Sequence, residues 1–366
     1  PNPQGGGTLF VPPRDTTLYK GMESTLYQFK LTGEFPLYTW GKIERGIQAA
    51  MAALAAARLK EAQAMHELRY RMQGTWEALA YVVRTEAVLS LQRQAGSRLV
   101  QLARASHASG FITRSELLAA EVRAKEIDIG LAMAAEQRNR MLSELSYLSG
   151  FDNLGIEDLV LEPVPASSPR RSLAESLAEV PTENYGLAYG KALLEAQTKL
   201  QALAEIQSRG LPDLGLRLEF SYGGPRFPFI ETDWYGQDDY QFTLSLGTKG
   251  NLFGNPVKAG EAVKARAQTE EARAQLAQGE RNLASFLREQ YLTIDLQKSR
   301  LEYAQLKLAS QAEELGRQQQ LVEGGSVPET EYLSKLIEHL ASLADAYNQL
   351  ASYRAALLRL EAAGRD

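Results

Sequence analysis

From Pro256 to about Val322 the chain runs without another proline, and Leu287, Ile294, Leu301, Leu308, Leu315 and Val322 recur at a seven-residue spacing. That pattern is the mark of a helix laying one apolar seam along a partner over many turns. At the helical rise per residue such a helix is roughly 100 Å long, far beyond the usual helix of about 11 residues. A compact domain has no room for it. Asn255 is placed to cap it, and Pro256 falls where a first-turn proline is tolerated.

A second segment of the same kind runs from Ile43 to about His107, with apolar residues at Ile47, Met51, Leu54, Met65, Leu68, Met72, Leu79, Val82 and Leu89. Trp40-Gly41-Lys42 before it matches Phe253-Gly254-Asn255 before the other, and the stretch from Gly110 to Leu118 after it matches Gly325 to Leu333. The offset stays at about 214 residues, which reads as an internal duplication. We therefore divide the chain into a first repeat (1–150), a connector (151–172) and a second repeat (173–366).

Acidic and basic residues are interspersed along both helices and the net charge is −5, which argues against a nucleic-acid partner. There are no cysteines, so neither a disulfide framework nor thiolate chemistry is available. No apolar run of about 18 residues exists to cross a membrane as a helix. His66, His107 and His339 are scattered, no nucleotide or metal motif is present, and the glutamates fall at ordinary helix-surface spacings. The reading is of a protein that is not an enzyme, with no catalytic residue, metal or cofactor.

Between the helices lie strand signals. Thr25 to Thr32 alternates, Tyr27, Phe29 and Leu31 leaving one face, with Thr8 to Val11 or Thr16 to Tyr19 as a candidate partner. Leu214, Leu216, Leu218, Phe220 and Tyr222 alternate against Gly215, Arg217, Glu219 and Ser221, and Tyr240, Phe242, Leu244 and Leu246 alternate against Gln241, Thr243 and Ser245. Two amphipathic strands of about ten residues are what a membrane barrel requires. The aromatics Phe227, Phe229, Trp234 and Tyr235 in the intervening loop suit an interfacial girdle. Leu216, Leu218, Phe220, Phe242, Leu244 and Leu246 are then the lipid-facing residues. Four strands per chain leave open edges that lipid does not tolerate, so this reading demands an oligomer.

Each long helix ends in a glycine turn. Thr113-Arg-Ser-Glu116 and Ser326-Val-Pro-Glu329 both have capping-box spacing, so a second helix is expected to return antiparallel from each turn. Leu159 to Leu161 is a candidate short strand in the connector, and another helix is expected from about Leu173 to Arg209, broken near Pro181.

Three features together resemble the TolC-like outer-membrane efflux protein family: Phe35 to Ile43 with its counterpart Leu252 to Asn255, the glycine turns followed by Leu117-Leu118 and Tyr332-Leu333, and Arg209 to Leu214 entering a strand. The resemblance implies a mainly α fold with membrane β-hairpins. It implies a homotrimer in which each protomer gives four strands to a shared twelve-stranded β-barrel, continued by a long coiled-coil α-barrel. By the same resemblance the protein is a passive exit duct of a tripartite efflux or type I secretion system. It would sit in a Gram-negative-type outer membrane and extend into the periplasm, with outer-membrane lipid, a periplasmic adaptor protein and an inner-membrane transporter as partners.

The resemblance also places a helix, and a signal segment before it, ahead of the first strands. Gly110, Phe111, Ile112 and Thr113, with Gly324, Gly325, Ser326 and Val327, become adaptor-contacting tips. Glu331, and Glu116 after the first turn, become the periplasmic gate. Glu331 matches the first of two acidic gate positions, whereas Ser334 holds the second, and Val322 and Val327 stand where a latching tyrosine and arginine would be. A soluble coiled-coil scaffold is the alternative; it accounts for the heptads and leaves the amphipathic strands without a purpose.

Overall fold

The computed structural model describes residues 27–165, 167–224, 227, 230, 240–250 and 256–364. In chain order these form β1 (Tyr27–Tyr38), α1 (Lys42–Ala108), α2 (Arg114–Ser149), α3 (Leu173–Glu183), α4 (Tyr185–Ser208), β2 (Asp213–Gly224), β3 (Tyr240–Lys249), α5 (Pro256–Glu323) and α6 (Glu329–Glu361). The two long helices contain 67 and 68 residues and start within a residue of where the proline-free heptads begin. Asn255, expected to cap α5, lies outside the described residues.

The chain divides into two compact units, Pro1–Ala53 with Glu195–Glu271, and Leu54–Leu194 with Ala272–Asp366. In the first, β1, β2 and β3 form an antiparallel sheet in that order. One expectation changes here. β1 runs on through Gly33 and Pro36 to Tyr38 rather than stopping at Thr32, and it pairs with β2 from the other half of the sequence. Pro36 is tolerated because the register shifts between Pro36 and Tyr38, and because β1 is an outer strand of the described sheet. The candidate partner strands before Thr25 lie outside the described residues, as do Phe229, Trp234 and Tyr235.

In the second unit the helices meet along a chain of small cores rather than one large one. Ala95, Leu99 and Ile127 pack with Leu333 and Ile337, Val88 with Leu340 and Ala344, and Ile294 and Leu301 with Tyr353, Ala356 and Leu357. The heptad residues Leu287, Ile294 and Leu301 are fully buried, as their spacing requires. Ion pairs reinforce the α1–α2 contact, including Glu86 to Arg138 at 2.7 Å, Arg104 to Glu121 at 2.7 Å and Arg71 to Glu144 at 2.8 Å. Between α1 and α6, Arg354 grips Glu77 through Nε and Nη2 at 3.0 Å each, with both side chains buried. Both carboxylate oxygens and the guanidinium fork are engaged, the condition under which a buried pair is tolerated.

The connector contains a 3-10 turn at Ile156–Asp158, and Leu159 to Leu161 is not a strand. Three tyrosines strap the connector down instead. Tyr81 donates its hydroxyl to the Val164 carbonyl, Tyr353 to that of Ser167 at 2.7 Å and Tyr291 to that of Arg171 at 2.5 Å.

Pro181 lies inside α3, and the break follows at Asn184. Proline removes a helical donor and crowds the preceding turn, and Asn184 Oδ1 then caps the new helix by accepting from Leu187 N at 2.9 Å.

Candidate functional site

The sheet has two unlike faces. Because side chains alternate along a strand, the pairings Leu31 to Phe220, Phe35 to Leu216, Phe220 to Phe242, Leu218 to Leu244 and Leu216 to Leu246 put all these residues on one face. On that face Leu31, Phe35, Phe242, Leu244 and Leu246 are 52–66% exposed. Leu216, Leu218 and Phe220 are half-buried only because neighbouring strands flank them. The opposite face carries charge: Lys30 contacts Glu219 at 2.7 Å, Glu219 contacts Arg217 at 3.0 Å, and Arg217 reaches Glu34 at 4.0 Å. A soluble protein rarely leaves an apolar patch this wide in water.

Where strand becomes helix, the chain is tied across. Trp40 Nε1 donates to the Pro212 carbonyl at 2.9 Å, and Lys42 Nζ donates to the Leu211 carbonyl at 2.7 Å and pairs with Asp213 at 2.8 Å. Arg45 donates to the Ala202 carbonyl near the end of α4 at 3.1 Å. These bonds fasten the start of α1 to the segment between α4 and β2 and to α4 itself. Trp40 itself has a left-handed φ of 55° and stacks edge-on against Tyr38 with centroids 4.9 Å apart.

The two glycine turns share one geometry. Gly110 N donates to His107 O and Phe111 N to Ser106 O, each at 2.9 Å; Gly325 N donates to Val322 O and Ser326 N to Leu321 O, each at 2.9 Å. This is the Schellman closure, whose left-handed residue favours glycine, and Gly110 and Gly325 have φ of 78° and 69°. After the first turn, Thr113 and Glu116 form the expected capping box. Those hydrogen bonds from the Thr113 backbone and side chain hold the Glu116 carboxyl below its usual range.

The second turn departs from expectation. Pro328 is the N-cap of α6 and supplies no side-chain bond, so Ser326 and Glu329 do not form a capping box. Glu329 instead receives Arg98 of α1 through Nε at 3.0 Å and Nη2 at 3.2 Å, and this pairing lowers its carboxyl's pKa. Proline at the cap puts Glu329 at the first helical position, two residues short of the third position from which a capping-box side chain reaches back.

Among the expected tip residues, Phe111 is a large apolar side chain left 84% exposed. Glu331 is exposed in the first turn of α6, and Glu116 is spent on its cap. Among the described residues no group of three histidines, cysteines or acidic residues is arranged to hold a metal. His66 contacts the Ala362 carbonyl at 2.9 Å, a tie from α1 to the end of α6, and His107 contacts that of Ile112 at 3.1 Å within its own turn.

Sequence reasoning missed the Arg98–Glu329 and Glu77–Arg354 pairs and the three tyrosine straps. The pairs carry a signal: stepping from Glu77 to Arg98 and back from Arg354 to Glu329 keeps one antiparallel register to within about a turn. The straps carry none, since their acceptors are backbone carbonyls.

No family model matches the chain, and no curated protein matches it. Solved structures do. The CmeC outer membrane channel of Campylobacter jejuni aligns with a TM-score of 0.73 at 12% identity, over 93% of this chain and 77% of that one. The outer membrane protein VceC of Vibrio cholerae gives 0.69 at 14% identity over 95% and 90%. The MtrE outer membrane channel of Neisseria gonorrhoeae, in its open state, gives 0.68 at 11% identity over 93% and 81%. The fold is that of these outer-membrane channels.

Proposed function

We propose that the protein is one protomer of a trimeric outer-membrane exit duct, a passive conduit for export with no chemistry of its own. The observation that carries this is the sheet: one face apolar and uncovered across three strands, the other lined by linked charges. In lipid that arrangement is a barrel wall, with the apolar face outward and the charged face toward a wet lumen. An open sheet edge is excluded from the hydrocarbon layer, so the strands of several protomers have to close on one another. Three copies contributing four strands each give a barrel of about twelve strands, within the known range.

The helices support the same assembly. α2 presents Leu118, Val122, Ile129 and Met133, and α5 presents Leu292, Leu296, Tyr303 and Leu306, all 49–73% exposed. Each set recurs at helical spacing as one unpartnered stripe. Two different stripes on one chain suit a head-to-tail ring, in which one protomer's α2 meets the next protomer's α5. On this reading the two halves of the chain are repeats, the glycine turns with Phe111 meet a periplasmic adaptor that links the duct to an inner-membrane transporter, and Glu331 rings the aperture. The soluble-scaffold alternative puts Phe242, Leu244 and Leu246 in water.

Light scattering of the detergent-purified protein tests the proposal, with three protomers per particle expected. A stable monomer in detergent, or a protein that stays dispersed without detergent, overturns it.

A further inference from the structure

Beside the strand-to-helix junction, α1 and α4 enclose a groove of about 400 Å³ lined by Trp40, Gly41, Glu44, Arg45, Gln48, Lys199 and Ala202. Its charges are unevenly committed. Lys42 next to it is spent on Asp213 and the Leu211 carbonyl. Arg45 gives one N–H to the Ala202 carbonyl and keeps the rest of its five donors. Lys199 has no ion pair among the described residues, and Glu44 receives only a long 3.4 Å contact from the Gln48 amide. Two cationic groups and one carboxylate therefore line the same groove, beside an indole ring.

The neighbouring surface is apolar. Trp40 stacks on Tyr38, and Phe35, Leu37 and Tyr38 are 52–55% exposed where β1 ends. A tryptophan–tyrosine pair with basic side chains just beyond an apolar wall is the composition of a membrane–water boundary.

We propose that this groove binds the headgroup of a membrane phospholipid of the phosphoethanolamine class. Arg45 and Lys199 take the phosphodiester, Glu44 takes the ammonium, and the acyl chains run along Tyr38, Leu37 and Phe35. A guanidinium and an ammonium suit phosphate oxygens, one as a fork and the other as a point charge. The carboxylate selects for a headgroup that carries N–H donors, against both a quaternary ammonium, which has none, and a purely anionic headgroup, which it repels. The inference rests on the outer-membrane reading above.

Native mass spectrometry of the full chain in detergent, with phosphatidylethanolamine, phosphatidylcholine or phosphatidylglycerol added at equal concentration, tests it. Phosphatidylethanolamine is expected to bind best. Lys199→Gln should weaken its binding about fivefold, the effect of one cationic side chain at such a surface. Glu44→Gln should erase the preference over phosphatidylcholine. Lys199 makes no contact whose loss endangers folding, so its variant stays interpretable even if a change at Arg45 disturbs the junction. Equal binding of the three lipids, an unchanged Lys199→Gln, or displacement by equimolar water-soluble phosphoethanolamine each overturns the site. A trimer that fails these tests refutes the lipid site alone, whereas a monomer refutes the reading beneath it.

Discussion

Tyr81 shows how one residue couples the connector to the helices. Its ring is buried, its hydroxyl donates to the Val164 carbonyl, and Glu77 lies close enough to disfavour a second negative charge. Burial first, and then Glu77, push its pKa from the ordinary 10.0 up to about 12 against the opposing pull of Arg354. The folded state therefore holds the proton more tightly than the unfolded chain. The stability this contributes is complete below pH 10 and is lost as pH rises toward about 12. Melting followed by circular dichroism should fall steeply across that window, and less steeply in Tyr81→Phe. That variant should also lose about 1 kcal/mol at neutral pH with its donor to Val164. Parallel declines in the two proteins would show that the strap does not titrate. Nothing in the sequence pointed to it, because Tyr81 reads as one more apolar residue in a heptad.

At the scale of elements, the limits of α1, α2 and α5 were legible because proline, the capping box and left-handed glycine act locally. The same local logic failed at α6, where the spacing of Ser326 and Glu329 imitates a capping box although Pro328 occupies the cap and Glu329 turns to Arg98. β1 was read short for a related reason: Gly33 and Pro36 look like breakers until pairing with Leu218 and Gly215 is known.

The seam of α5 hides a further feature. Gln290, Gln297, Gln311 and Gln318 occupy one heptad position, interrupted by Ala304, and each has a buried Oε1 with no hydrogen-bond partner. Polar residues in such a seam fix register at a cost in stability. Gln290→Leu should therefore raise the melting temperature, stabilising by about 1 kcal/mol through relief of an unsatisfied carbonyl. Destabilisation would mean that the amide has a partner in the assembled protein. The strands make a sharper demand. Leu244 and Thr243 are adjacent and point to opposite faces, so Leu244→Arg should cost about 2–4 kcal/mol near mid-bilayer and Thr243→Arg much less. The measure is the fraction of protein recovered as trimer, and equal losses would show that the faces are wrongly assigned.

For the whole molecule, the sequence pattern carried the mainly helical fold with its small sheet, which the solved channels share, whereas the proposed gate requires the assembly. In the proposed trimer three copies of Glu331 converge on the axis, and a ring of carboxylates at a constriction favours cations. The two nearby candidates are already committed, Glu116 to Thr113 and Glu329 to Arg98, which leaves Glu331 as the carboxylate available to permeating ions. Glu331→Gln should therefore lower cation selectivity in planar-bilayer recordings and weaken block by multivalent cations. Glu329→Gln should leave both unchanged while loosening α6 from α1, because Arg98 loses its partner. The Arg98 tie has its own pH dependence. The Glu329 carboxyl's pKa is depressed in the fold, so the contribution is present above the usual glutamate range and is lost as pH falls through the folded value. An exposed first-turn carboxylate also interacts favourably with its own helix dipole, and on that view alone Glu331 has no part in conduction. Recordings from correctly assembled trimers separate the two: selectivity and block that survive Glu331→Gln would assign the residue to the helix rather than to the pore.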